Sequence, residues 1–258
     1  RSRFFLYHEL SSMRNIKLTI EYDGTAYNGW QRQAGVPTVQ QVMEDTLSGI
    51  VNAKVVLVAS SRTDTGVHAL NQVANFRTET ALPLRNLHLG VNSLLPADIV
   101  VKAMSDVDWE FHSRFHARSK VYHYRIFNSP VRTALERNRC WHVRTPLDVG
   151  AMNRAAAGLL GTHDFSSFCA AQCEVEDRVR TVTEAFVGRD EGGGLVFRIE
   201  ADGFLRHMVR NIVGTLVDIG KGATPGEGLV RILTARDRRE AGPAAPARGL
   251  FLVEVRYA

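Results

Sequence analysis

The sequence has little cysteine: three residues in 258, at Cys140, Cys169 and Cys173. An odd, sparse set makes no disulfide framework and fits reduced thiols in a reducing compartment. Cys169 and Cys173 stand four apart, with His163 upstream and His142 near Cys140. That spacing fits no standard four-ligand zinc pattern, so small buried thiols are expected and no metal. The sequence also lacks any apolar run long enough to span a bilayer. Its start, RSRFFLYHEL, has a basic end but an apolar part confined to Phe4–Tyr7. This is too short for a signal-peptide core, and no small-residue cleavage site follows. Low-complexity segments are missing as well. These absences exclude a disulfide-stapled secreted domain and a membrane-spanning protein, and a cytoplasmic location is expected. Residues 1–12 read as an extension outside the fold.

What is present is ordinary in bulk: 45% hydrophobic and 23% charged residues, as in soluble globular chains. The length allows one large domain or two of usual size. A net charge of +5 is a mild basic bias that favours a polyanionic partner such as nucleic acid.

Apolar periodicity divides the chain into two similar halves. Ile16 to Tyr22 predicts a strand ending in the turn Asp23-Gly24-Thr25. Thr38 and Gln41 fit a capping box, and Val39, Val42, Met43, Leu47 and Ile50 recur at helical spacing. Strands are predicted at Val55 to Val58 and Leu70 to Phe76, a helix from Pro83 to Leu94, and a strand from Ile99 to Met104. In the second half strands fall at Val121 to Phe127, Val179 to Val187, Leu195 to Ala201 and Leu250 to Tyr257. Helices fall at Asp148 to Leu160, Leu205 to Ile219 and Glu227 to Leu233. Both halves read β-α-β-β-α-β, the second with one inserted helix. The fold class is therefore α+β: two ferredoxin-like units side by side, with a cleft between them for a ligand. The domains are expected at 13–110 and 111–258.

The stretch SSRTDTGVHALNQVANF, Ser60 to Phe76, places Asp64 in a polar turn between two strands. An Asx-turn is the ordinary reading of a loop aspartate. Arg62 and Thr63 argue for more, because they set a cation and a hydroxyl beside the carboxylate on a rigid support. Asp64-Thr65-Gly66 also spells the D-T-G of aspartic proteases. Those enzymes need two carboxylates sharing a proton, and this sequence has no second D-T-G or D-S-G.

The longer context decides. RTDTGVHA (Arg62 to Ala69) resembles the G-R-T-D-A-G-V-H-A motif of TruA-type tRNA pseudouridine synthases. YDGTAYNGWQRQ (Tyr22 to Gln33) is similar to that family's first motif. FHSRFHARSKVYHYRI (Phe111 to Ile126), HDFSSF (His163 to Phe168), FLRHMVRNIVG (Phe204 to Gly214) and RGLFLVEVRY (Arg248 to Tyr257) match four more, in order. The resemblance covers Met13 to Ala258. It departs at Ser61, where the family usually has Gly, and at Thr65, where it usually has Ala.

The resemblance implies the pseudouridine synthase fold with an RNA-binding cleft, and an isomerase acting on uridines of the tRNA anticodon stem-loop. It implies a homodimer with no metal and no nucleotide or other cofactor. Asp64 is then the catalytic carboxylate, as nucleophile or as base at C2′. Arg62 keeps it ionised and holds the flipped nucleotide. Tyr122 stacks on the uracil, Arg210 pairs with Asp64, and Leu250 forms an apolar wall. Tyr122, Tyr124 and Ile126 share one strand face, and Tyr124 suits the core. Arg206 and Arg210, four apart on the predicted helix, share a face. Arg114, Lys120 and Arg206 are candidates for RNA phosphates, and His68 reads as a strand anchor. A non-catalytic RNA-binding protein with paired ferredoxin-like units is the alternative. It explains charge and fold without requiring Asp64, Tyr122 and Arg210 together.

Overall fold

Strict alternation of Ile16, Leu18, Ile20 and Tyr22, all buried, suits β1 (Arg14–Tyr22) to an inner place in the sheet of the first unit. It pairs antiparallel with β3 (His68–Thr78) on one side and β4 (Ile99–Val107) on the other. The short β2 (Val58–Ala59) lies beyond β3. The order β4-β1-β3-β2 is that of a ferredoxin-like split βαβ sheet. Helix α1 (Val39–Val51) starts at Thr38, whose hydroxyl accepts the Gln41 N–H, and α2 (Leu84–Leu94) follows Pro83. Val39, Met43 and Leu47 of α1 and Leu87 and Val91 of α2 are fully buried, and the two helices pack on one another.

The computed structural model describes residues 13–170, 175–190 and 192–258. The extension at 1–12 and the thiol of Cys173 lie outside the described residues. Two units divide the chain: residues through Ala117 together with Tyr257 and Ala258, and Arg118–Arg256. The segment Phe111–Ala117, expected to open the second domain, belongs with the first. Asn15 Nδ2 donates to the Phe111 carbonyl at 2.9 Å, and the Ser113 N–H and hydroxyl both donate to Asn75 Oδ1, at 2.9 and 2.7 Å. Those side chains sit on β1 and β3, so the segment is tied to the first sheet.

In the second unit β5 (Ser119–Asn128) lies between β10 (Leu250–Arg256) and β9 (Leu195–Ala201), and β8 (Val179–Arg189) follows β9, all antiparallel. The order β10-β5-β9-β8 repeats that of the first unit. Two short strands are added: β6 (Trp141–Val143), parallel to β5, and β7 (Gly161–Asp164), on β8. Helices α3 (Val149–Ala157) and α4 (Met208–Gly220) are the two crossovers, and α5 (Gly228–Ala235) is the insertion. Helix α4 is buried almost all round.

Three local expectations are corrected. Val55–Leu57 does not pair as a strand, because α1 takes its backbone donors: Val55 N–H goes to Ser48 Oγ and Leu57 N–H to Glu44 Oε1, both at 2.9 Å. The helix expected from Leu205 begins at Met208, because His207 adopts a left-handed conformation with φ 63°. Helix α3 ends at Ala157 rather than Leu160, with Gly158 as its cap. No described helix is long and apolar enough to cross a membrane.

Candidate active site

The loop from Ser60 to Val67 leaves β2 and enters β3, and almost every step of it is anchored. Ser60 N–H donates to the Val73 carbonyl at 2.8 Å. Ser60 Oγ donates to Gln72 Oε1 at 2.7 Å, and Gln72 Nε2 donates to the Ser61 carbonyl at 2.8 Å. The loop then meets the segment Tyr22 to Trp30. The Tyr22 and Thr63 hydroxyls lie 2.7 Å apart, Trp30 N–H donates to the Thr63 carbonyl at 3.1 Å, and Gly66 N–H donates to the Tyr27 carbonyl at 3.3 Å. Inside the loop, Val67 N–H closes a turn on the Asp64 carbonyl at 3.1 Å. The motif around Asp64 and the YDGTAYNGW motif, about forty residues apart in sequence, are thus one structural object.

Two residues show how close the fit is. Gly29 has φ +84°, and a Cβ there would lie 2.4 Å from the Thr63 carbonyl oxygen. Any side chain at that position displaces the backbone immediately before Asp64. His68 is buried, and its Nδ1 accepts the Gly24 N–H at 3.1 Å, so the imidazole pins the Asp23-Gly24 turn to the start of β3. This is the anchoring role read for it in the sequence. Asp64 itself is half-buried and Arg62 is exposed. The loop therefore presents a carboxylate and a guanidinium on a backbone that cannot drift.

The two departures from the family motif fall differently. Thr65 is exposed. Ser61 Oγ is buried and has no hydrogen-bond partner among the described residues, an arrangement that costs free energy.

Tyr122, Leu250 and Arg210 lie in the second unit. Tyr122 is 7% exposed, on β5 between Leu252 of β10 and Ile199 of β9. The Phe204 ring meets its ring edge-on at 4.9 Å. Tyr124, two residues on, is fully buried, and its hydroxyl donates to the Pro246 carbonyl at 2.7 Å. Burial pushes its phenol far above the usual range, as suits a core residue. Leu250 begins β10 opposite Tyr124 and is buried.

Arg210 sits in the first turn of α4 and is fixed from the loop that precedes β10. Its Nε donates to the Ala245 carbonyl at 2.8 Å, and Ala245 N–H donates to the Arg210 carbonyl at 3.0 Å. The loop reaches the helix because Gly214 has no side chain: a Cβ there would lie 1.7 Å from the Pro243 carbonyl oxygen. A glycine in the helix and a Pro/Ala-rich loop together aim one guanidinium. Asn211 secures the next position, donating to the Phe168 carbonyl at 2.7 Å, which ties the HDFSSF motif to the same helix.

Arg206 is exposed and precedes α4. The expectation that it shares a helical face with Arg210 fails, because His207 interrupts the helix before it. Lys120 is half-buried on β5, and Arg114 is exposed in the first unit. Cys140 and Cys169 are buried thiols, and burial raises the Cys140 pKa. Among the described residues no group of His, Cys, Asp or Glu could hold a metal ion. Sequence reasoning missed the roles of Tyr22, Gly29, Gln72 and Ala245. Tyr22 and Gly29 lay inside a quoted motif, but nothing in a linear pattern says which loop they brace.

Comparison with known proteins covers both units. The tRNA pseudouridine synthase family model matches residues 18–116 and 155–258. A tRNA pseudouridine synthase A of Acetivibrio thermocellus is 47% identical over 245 residues, covering 95% of this chain and all of that protein. The tRNA pseudouridine synthase A of Halalkalibacterium halodurans is 48% identical over 240 residues, covering 93% and 91%. That of Myxococcus xanthus is 44% identical over 245 residues, covering 95% and 92%. With the loop around Asp64 and the helix bearing Arg210 inside the residues the family model matches, and relatives 44–48% identical over nearly the whole chain, this chain belongs to the tRNA pseudouridine synthase family.

Proposed function

We propose that the chain is a tRNA pseudouridine synthase that isomerises uridines at positions thirty-eight to forty of the anticodon stem-loop, acting as a homodimer. The observation that supports this most is the match with tRNA pseudouridine synthase A proteins over nearly the full length of both partners. The reaction breaks the N1–C1′ bond, turns the uracil and joins C5 to C1′. The proton on C5 is lost as N1 gains one, so the atoms balance without an oxidant or a second substrate.

Asp64 is the reacting carboxylate, attacking the nucleotide or taking the C2′ proton. Its rigid loop suits that role, since a group held in position needs no ordering at the moment of reaction. Extruding a base from a stem costs roughly a few kcal/mol. Arg62, exposed beside Asp64, offers a flat cation to stack in the vacated space. Tyr122 presents an aromatic edge or face to the detached uracil, Leu250 an apolar wall, and Arg210 a positioned cation. Arg114, Lys120 and Arg206 contact phosphates. An unmodified tRNA transcript with uridines throughout the anticodon arm, incubated with the protein and mapped residue by residue, tests the reading. Pseudouridine confined to positions thirty-eight to forty is expected. Modification elsewhere would refute the site assignment, and none at all would refute the activity.

A further inference from the structure

Between β4 and β5 the segment Phe111–Ala117 makes a tight turn, with His116 N–H donating to the His112 carbonyl at 3.1 Å. The His112 ring is fixed from below: its Nδ1 accepts the N–H groups of Arg114 and Phe115, both at 3.2 Å. Ser113 is buried, bonded to Asn75 and receiving the Tyr257 hydroxyl at 2.7 Å on its carbonyl. On this clamped turn the Phe115 ring lies stacked on His112, centroids 4.2 Å apart and 30° between planes. Yet Phe115 is 73% exposed. The Arg114 guanidinium lies 5.7 Å from its centroid.

An aromatic ring held rigidly but left in water forgoes most of what burial gives it. The groups that meet its ring are the His112 imidazole and the Arg114 guanidinium, while the other aromatic of the turn, Phe111, packs towards His116 and Tyr257. A protein partner would call for contiguous apolar area. A flat ring beside a guanidinium on a turn without a carboxylate matches the chemistry of an unpaired nucleobase and its phosphate. We propose that the Phe115–His112 stack is a platform for an unpaired base of the RNA substrate, with Arg114 on the adjoining phosphate. The inference rests on the tRNA reading above. It adds a stacking contact, separate from the reacting uridine, on a turn that is already ordered and so loses little freedom on binding.

The test is the Kd for an unmodified tRNA transcript, measured for wild type, Phe115→Ala, Phe115→Leu and Phe115→Trp, with the oligomeric state of each by sedimentation. Both Phe115→Ala and Phe115→Leu are expected to weaken binding about tenfold or more. Leucine keeps an apolar side chain but has no π face. Phe115→Trp is expected to bind as tightly as wild type, with its added fluorescence quenched by the RNA. Unchanged Kd in the alanine variant, or full affinity in the leucine variant, overturns the platform. So does dissociation of an oligomer by Phe115→Ala, which would make the ring an interface between copies. Tritium release from uracil C5 by the wild type is scored separately. Its absence with the Kd pattern intact refutes the synthase reading and leaves the platform standing.

Discussion

Asp64 owes its setting to residues distant from it in sequence within the same unit. The Tyr22 hydroxyl on Thr63, the Gln72 amide on the Ser61 carbonyl and the absent side chain of Gly29 each fix one step of the loop. Against that background Ser61 is out of place, because its buried hydroxyl has no partner among the described residues. Removing it by Ser61→Ala is expected to stabilise the protein by about 1 kcal/mol, or roughly 2–4 °C in Tm for a chain of this size. Calorimetry would read it, and a destabilisation of similar size would mean that the hydroxyl is satisfied after all. The sequence names Asp64, Arg62, Tyr122 and Arg210 by motif alone. The braces were not legible, since Gln72 and Ala245 carry no chemistry of their own and matter only by where they point.

At the scale of elements, both β-α-β-β-α-β runs were readable because all their strands and helices except the two-residue β2 are long enough to show a period. Strands β6 and β7, three and four residues long, show none. The segment Val55–Leu57 has the composition of a strand, but its N–H groups go to Ser48 and Glu44 side chains on α1. Propensity has no term for that competition. Strand β5 makes a prediction. His123 lies on the face opposite Tyr122 and Tyr124, with Arg198 Nη1 3.1 Å from its Nε2. Burial first, then the charges of Arg198 and Arg125, lower its pKa below 6.5. Above that pH the imidazole is neutral in both folded and unfolded chains. Below it the unfolded chain binds the proton more readily, so stability falls as the pH drops through 6.5 towards the lower folded value. Urea midpoints at pH 7.5 and 5.5 are expected to fall further for wild type than for His123→Gln; an equal fall would refute the assignment.

For the whole molecule, the same sheet order occurs in both units, and the candidate residues are divided between them: Asp64 and Arg62 in the first, Tyr122, Arg210 and Leu250 in the second. The net charge of +5 suits a polyanion, and arginines 62, 114 and 206, proposed above to meet the RNA, are exposed. Binding of tRNA is expected to weaken by at least about tenfold between 50 and 200 mM salt, read as a linear fall of log K with log salt. Salt-independent affinity would contradict a phosphate-led interface. The homodimer was implied by resemblance alone, since neither composition nor a single chain's pattern bears on it.

The most direct measurement uses tRNA tritiated at uracil C5, comparing release by wild type and by Asp64→Asn, with tRNA affinity measured for both. Asparagine keeps the shape and removes the charge. The account predicts release by wild type and a loss of at least about a thousandfold in the variant, with tRNA still bound. Equal release by both proteins would contradict it, because the loop so firmly built around Asp64 would then be holding a bystander.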